Sequence, residues 1–235
     1  MIEAFSDERI RMTATETAAC AGLTRTAARR YLLSLVHFGY AATDGKYYWL
    51  LPRVLRLGQA YLEGARVPRI AQPFLQRASM QCGETLNLGT LDGHEVVYLA
   101  RSNAPRMISI AFQPGARVPA HVVSQGFVLL AGLDDAALDA WIATHDFASF
   151  TGFTPVDPAP FRESVLAARA LDYWSADQLL DFGLRGIAVA LKDRKGRSAY
   201  ALSITVQRQA YPGDELAARL LPVLRDVAEA LRPVI

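Results

Sequence analysis

The sequence predicts an α+β protein: a small winged helix-turn-helix at the N-terminus, then a larger domain in which helices cover an antiparallel sheet. Three observations carry this. A capped helix, a glycine turn and a basic second helix are followed at once by an Asp-Gly hairpin signal within residues 13–50. Further on, strand candidates arrive in pairs around turn signals, the pattern of antiparallel hairpins. Helical periodicity precedes, separates and follows those pairs, which sets helices against the sheet.

Composition narrows the class. A chain of 235 residues, 51% apolar and 20% charged, can bury a substantial core in one large or two modest domains. No run approaches the ~18 apolar residues of a membrane span. The N-terminus is acidic and amphipathic rather than basic then apolar, so no signal peptide is read and a cytoplasmic protein is expected. Cys20 and Cys82 lie far apart and read as reduced core residues; no disulfide framework, metal cluster or cofactor motif is expected. The net charge of +2 is small, but residues 1–66 hold nine Lys/Arg against six Asp/Glu, while the remainder holds sixteen against seventeen. The positive excess lies in the N-terminal module.

Residues 1–5 read as the end of a helix, about two turns short of a full first helix, so the functional chain is expected to begin upstream. Residues 6–11 are a polar connector. Thr13 followed by Glu16 has capping-box spacing, which starts a helix running to about Ala21. Gly22 supplies the turn and Thr24 is the N-cap of the second helix. On that helix Tyr31, Leu32, Leu35 and Val36 define a buried stripe. Arg25 with Arg29, and Thr26 with Arg30, are i, i+4 pairs on another face, an exposed basic ridge at the end that enters a major groove in this motif. Such crowded arginines repel one another unless phosphates or guanine edges neutralise them. The plain alternative is the solvated face of an ordinary core helix. Gly39 ends the helix, and Asp44-Gly45 marks a two-residue hairpin with Lys46 near the wing tip. Thr24, Arg25, Thr26, Arg29, Arg30 and Lys46 are therefore the expected contacts to double-stranded operator DNA.

Leu51-Pro52 opens a helix with a broad apolar side, from Val54 to Leu62, which either packs on the DNA module or pairs with its counterpart in a second copy. Pro68 opens the next, over 69–81. Strands are expected at 84–91 and 95–100 around Asp92-Gly93, and at 107–112. Helices follow at 125–133 and 136–144, then an aromatic and proline-rich loop at 147–160 and a helix at 161–171. Strands at 173–176, 187–192 and 200–206, the last two joined by a turn at 193–196, precede a closing helix at 212–231. The domains expected are 1–51 (DNA-binding), 52–67 (linker and dimerisation helix) and 68–235.

The series GLTRTAARRYLLSLVHFGY, LLPRVLRLGQAYL, LDGHEVVYLARS and GLRGIAVAL is similar to the IclR family of bacterial transcription regulators over nearly the whole chain. PRVLRLG and AQPFL resemble its branch that controls β-ketoadipate pathway genes in response to protocatechuate or 4-hydroxybenzoate. The resemblance implies a GAF/profilin-like C-terminal domain binding a small organic, aromatic acid, in a homodimer or dimer of dimers on a palindromic operator. The matching pocket positions are His121, Ser124, Gln125, Asp177, Arg185, Gly186, Ser203 and Thr205. Ser203 and Thr205 alternate, so both hydroxyls can enter one cavity; Ser124 sits at a helix start, a favourable place for a carboxylate. Departures from the family pattern are Phe127 for a basic residue, Gly186 for Ser or Cys, Leu179 for an acid, and a large Trp174. These imply a bulkier or more aromatic effector, or a differently closed pocket.

Two side chains carry open alternatives. Arg185 is either a carboxylate clamp or the partner of Asp177 or Asp181, and His121 either a structural histidine or a ligand contact. A small-molecule hydrolase is the competing class, since His121, Ser124 and Asp177, or Cys82 and His94, have the residue types of nucleophilic catalysis. No nucleophile-elbow or thiol-hydrolase signature accompanies them.

Overall fold

The computed structural model describes residues 1–103, 112–193 and 195–235. The strand expected at 107–112 falls, but for Phe112, outside them. Two compact units, Met1–Gly64 and Ala65–Ile235, each have their own core.

In the first unit Met12–Thr13 (β1) runs straight into Ala14–Ala21 (α1), followed by Arg25–His37 (α2), Ala41–Thr43 (β2), Tyr47–Leu50 (β3) and Leu55–Gly64 (α3). The strands pair antiparallel in the order β1-β3-β2. The capping box forms: the Glu16 amide donates to Thr13 Oγ1 at 3.3 Å and the Thr13 amide donates to the Glu16 carboxylate at 2.7 Å. The Thr13 amide, and the Thr13 hydroxyl donating at 2.8 Å, hold the Glu16 carboxyl below its ordinary pKa. Thr13 also pairs with Tyr47, so one residue both closes the sheet and starts the helix. β1 is two residues long and its partner is far away in sequence; the polar connector gave no sign of it. Gly45 turns the hairpin at φ 97, and Asp44 Oδ1 accepts from the amides of Lys46 and Tyr47.

The stripe on α2 is narrower than expected. Leu32 is fully buried and Leu35 and Val36 are half-buried, but Tyr31 is 45% exposed and is not part of the core. The module is thin, so one row, Ala28 and Leu32, sinks against Ala14 and Tyr48. Tyr31 sits one residue, or about 100°, around the helix from it. On α3 no residue is buried, and Leu55, Leu57 and Tyr61 are exposed.

The second unit begins with Arg66–Cys82 (α4), two residues before Pro68, which therefore occupies a first turn where no amide is needed. Leu86–Asp92 (β4) and Glu95–Ser102 (β5) form the first hairpin. Arg117–Pro119 (β6), too short to read from sequence, precedes Ser124–Leu130 (α5), Asp135–Thr144 (α6) and Pro158–Leu171 (α7). Trp174–Asp177 (β7), Leu184–Lys192 (β8), Ser198–Gln207 (β9) and Glu215–Leu231 (α8) complete it. The sheet is antiparallel in the order β6-β5-β4-β9-β8-β7.

Alternation along the strands gives this sheet two different faces. Leu86 and Leu88, Ile187, Val189 and Leu191, and Leu202, Ile204 and Val206 pack against Ala71, Leu75 and Ala78 of α4 and Leu220, Leu224 and Val227 of α8. One residue out of phase, Asn87, Gly186, Ser203 and Thr205 turn the other way, beside Tyr98, Ala188 and Ala201, which pack with Phe127 and Val128 of α5 and Phe161 of α7.

Candidate functional site

The first candidate surface is the start of α2. Thr24 caps the helix through the Ala27 amide at 3.3 Å, which fixes where the ridge begins. Thr24, Arg25, Thr26, Arg29, Arg30 and Lys46 are all exposed. None of the four cations has an ion-pair partner among the described residues, whereas the neighbouring Arg11 does. Arg11 bonds Asp44 at 2.7 Å and lies over the Trp49 ring at 4.5 Å. It braces the wing from β3 to its tip, a role missed because its partners lie over thirty positions away. The arginine side chains are thus not tucked into the fold, and no acid among the described residues forms an ion pair with them.

The second candidate site is a small, partly open cavity on the polar face of the larger sheet. Tyr98, Val122, Val123, Leu179 and Leu180 form apolar walls; Ser124, Gly186, Ser203 and Thr205 form the floor. Gly186 pairs with Thr205 across the ladder, and a Cβ at 186 would stand 3.0 Å from Ser124 Oγ. The missing side chain therefore leaves the Ser124 hydroxyl uncovered. Ser203 Oγ is buried and has no hydrogen-bond partner among the described residues. A buried hydroxyl left unpaired costs about 1–3 kcal/mol, and a polar ligand atom would relieve it.

Of the eight expected pocket residues, Ser124, Gly186, Ser203 and Thr205 meet at this floor and the other four do not place their functional groups there. Arg185 borders the cavity, but its side chain lies in phase with Ile187, on the α4/α8 face. Its Nη1 donates to the carbonyls of Tyr211 and Gly213 at 2.9 and 2.7 Å, and its Nε faces Asp177 at 3.5 Å. Asp177 shares that face and sits 3.3 Å from Arg208. In this structure the Arg185 guanidinium is held by the two backbone carbonyls and approaches Asp177 without a hydrogen bond to it. The phase difference from Gly186 is the physical reason, and residue parity along the strand carried that signal.

Gln125 donates to the carbonyls of Ala201 at 3.0 Å and Asn87 at 3.4 Å, tying α5 to the sheet. His121 is fully buried, with one ring nitrogen on the Ala148 carbonyl and the other on His145. Both of its ring nitrogens are thus engaged within the protein. The hydrolytic arrangements dissolve for the same reasons: both nitrogens of His121 are engaged, Asp177 is across the sheet, and the ring nitrogens of His94 face His145 and Thr144.

Among the departures, Leu179 lines the cavity, and Phe127 and Trp174 stack on each other at 5.1 Å with Phe161 beside them. The two rings fill the core beside the cavity rather than lining it. Tyr98, Val122, Val123 and Gln178 were not expected in the lining. Gln178, at φ 59, gave no sequence cue.

Comparison with known proteins agrees with both parts of this description. Residues 1–45 match the IclR helix-turn-helix domain and residues 59–232 match the bacterial transcriptional regulator IclR C-terminal domain. The chain is 37% identical over 240 residues to the p-hydroxybenzoate hydroxylase transcriptional activator of Acinetobacter baylyi, covering 100% of this chain and 89% of the relative. It is 37% identical over 225 residues to the Pca regulon regulatory protein of Pseudomonas putida, covering 95% and 77%. A solved double mutant of the PobR inducer-binding domain from Acinetobacter, in complex with 3-hydroxybenzoic acid, superimposes with a TM-score of 0.67 at 32% identity, covering 73% of this chain and 100% of that one.

Proposed function

Since the chain belongs to the IclR family of bacterial transcription regulators, we propose that it reads its operator through Thr24, Arg25, Thr26, Arg29 and Arg30, with Lys46 as a wing contact, under control of a hydroxylated aromatic acid held in the cavity. It is a DNA-binding regulator of the β-ketoadipate type, and its relatives are regulators rather than hydrolases.

The single observation that supports the DNA-reading assignment is the set of four exposed cations on α2 and the wing, none of them in an ion pair among the described residues. A duplex supplies the missing counter-charge. Replacing Arg29 by Ala is expected to cost ~1–3 kcal/mol on the specific operator, measured by fluorescence anisotropy. Equal loss on random duplex would reduce Arg29 to a phosphate contact.

The orphaned Ser203 hydroxyl supports the effector site. With the Arg185 guanidinium turned away, a carboxylate on this floor would be bound by neutral hydroxyl donors. The exposed Leu55, Leu57 and Tyr61 of α3 favour a second copy as partner, since such residues on one helix are costly to leave in water. Light scattering with Leu57→Lys tests that; an unchanged mass would remove α3 from the interface.

A further inference from the structure

Three of the chain's four histidines form a line beside the cavity. His94 lies at the β4–β5 turn, His145 caps the end of α6, and His121 immediately precedes the cavity residues Val122 and Val123. His121 Nε2 is 2.9 Å from the Ala148 carbonyl, and His121 Nδ1 is 2.8 Å from His145 Nε2. His145 Nδ1 is 3.1 Å from His94 Nδ1, and His94 Nε2 is 3.3 Å from the Thr144 hydroxyl. Facing nitrogens at these distances share protons in series. No three metal ligands converge at one point among the described residues.

Hydrogen-bond chemistry fixes the order. A carbonyl only accepts, so His121 Nε2 carries a proton and its Nδ1, in a neutral ring, is bare. His145 Nε2 must then donate to it, which leaves His145 Nδ1 bare to accept from His94 Nδ1. One further proton can enter at His94 Nε2 and keep every contact donor-to-acceptor by shifting along the line. A second cannot, because two N–H groups must then oppose each other.

The line is mechanically tied to both cavity walls. At its inner end the Ala148 carbonyl begins the loop whose Thr151 and Thr154 hydroxyls donate to the carbonyls of Gln178 and Leu179, each at 2.6 Å. Gln178 and Leu179 line the cavity from one side, and Val122 and Val123 from the other.

We propose that His145, through the proton-ordered line His94–His145–His121, is a positioning residue for the effector cavity, so that the intact line holds both walls and breaking it weakens effector binding. This rests on the cavity being the effector site.

The surroundings oppose uptake at the middle ring. Trp141 stacks on His145 at 4.2 Å and Phe147 meets it edge-on at 4.7 Å. Burial first, then the neighbouring His121 and His94, push His145 down to about 4, and burial also lowers His121. Asp146 is the carboxylate that acts on both rings in the opposite sense. A depressed imidazole contributes stability that is present above its unfolded value of 6.5 and lost as pH falls toward 4.

The test is calorimetric titration of 4-hydroxybenzoate into wild type, His145→Ala and His145→Gln at pH 7.5. His145→Ala, which leaves the facing nitrogens of His121 and His94 without a partner, is expected to bind about tenfold more weakly than wild type. His145→Gln, whose amide can still donate at one end and accept at the other, is expected to recover most of that loss. Unchanged affinity in His145→Ala, or no recovery in a folded His145→Gln, overturns the proposal.

Nitrogen chemical shifts of the wild-type histidines at pH 7.5 test the order without any variant. Nε2–H on His121 and His145 with Nδ1–H on His94 supports it, and any other arrangement overturns it. Should 4-hydroxybenzoate not bind wild type, the cavity assignment fails and the line is judged by those chemical shifts alone.

Discussion

On β9, Leu202, Ile204 and Val206 press into α4 and α8, whereas Ser203 and Thr205, one residue out of phase, face a cavity with hydroxyls. The same ten residues thus serve a sealed face and an open one. The sealed face is closed by large aliphatic side chains, and its half-buried Arg185 guanidinium is held by the backbone carbonyls of Tyr211 and Gly213 beside Asp177. The open face tolerates an unpaired hydroxyl and a missing side chain at Gly186. Stability is concentrated on one side and recognition on the other, and a one-residue step in the strand decides which a residue serves.

The contrast can be broken most directly from the sealed side. Leu224→Ala on α8, at a fully buried position, is expected to lower unfolding stability by about 3 kcal/mol in denaturant titrations, with hydroxybenzoate affinity of the folded protein unchanged. An affinity loss of similar size would mean the faces are not separate.

Arg185→Met sharpens the boundary between them. The carbonyls of Tyr211 and Gly213 lose their donor, so stability is expected to fall by about 2 kcal/mol. Effector affinity, measured by calorimetry, should change less than twofold. A large affinity loss would return Arg185 to the role of a carboxylate clamp.

The smallest expected effect on stability comes from the open side. Ser203→Ala removes an orphaned hydroxyl and should shift the denaturation midpoint by less than about 1 kcal/mol, in either direction. Calorimetry should record about tenfold weaker hydroxybenzoate binding, the equivalent of one hydrogen bond to a charged acceptor. Unchanged binding would move the effector off this floor.

What the sequence disclosed follows the range of the interactions concerned. The Thr13–Glu16 box, the Thr24 cap and the Asp44-Gly45 turn are settled within four residues, and each formed as expected. Ser203 and Thr205 were legible because they share a strand. The direction of the Arg185 side chain was also legible, since it and Gly186 are adjacent and a strand sends adjacent side chains to opposite faces. Tyr31 was misassigned because a thin core buries one row where periodicity allows two. The histidine line could not be read: its three rings come from separate turns, and only the packing of α6 against the β4–β5 hairpin brings them together. Short β1 and β6 stayed hidden because two or three residues carry no period.

Thr13 belongs at once to the strand ladder and to the first turn of α1. The scaffolding helix therefore cannot rotate without dragging the hairpin, and the hairpin cannot lift without uncapping the helix. When the module meets a groove of the wrong width, the fingers of its grip cannot adjust one at a time. It must accept or refuse the duplex as a single stiff tool, and flexibility at that meeting is left to the nucleic acid.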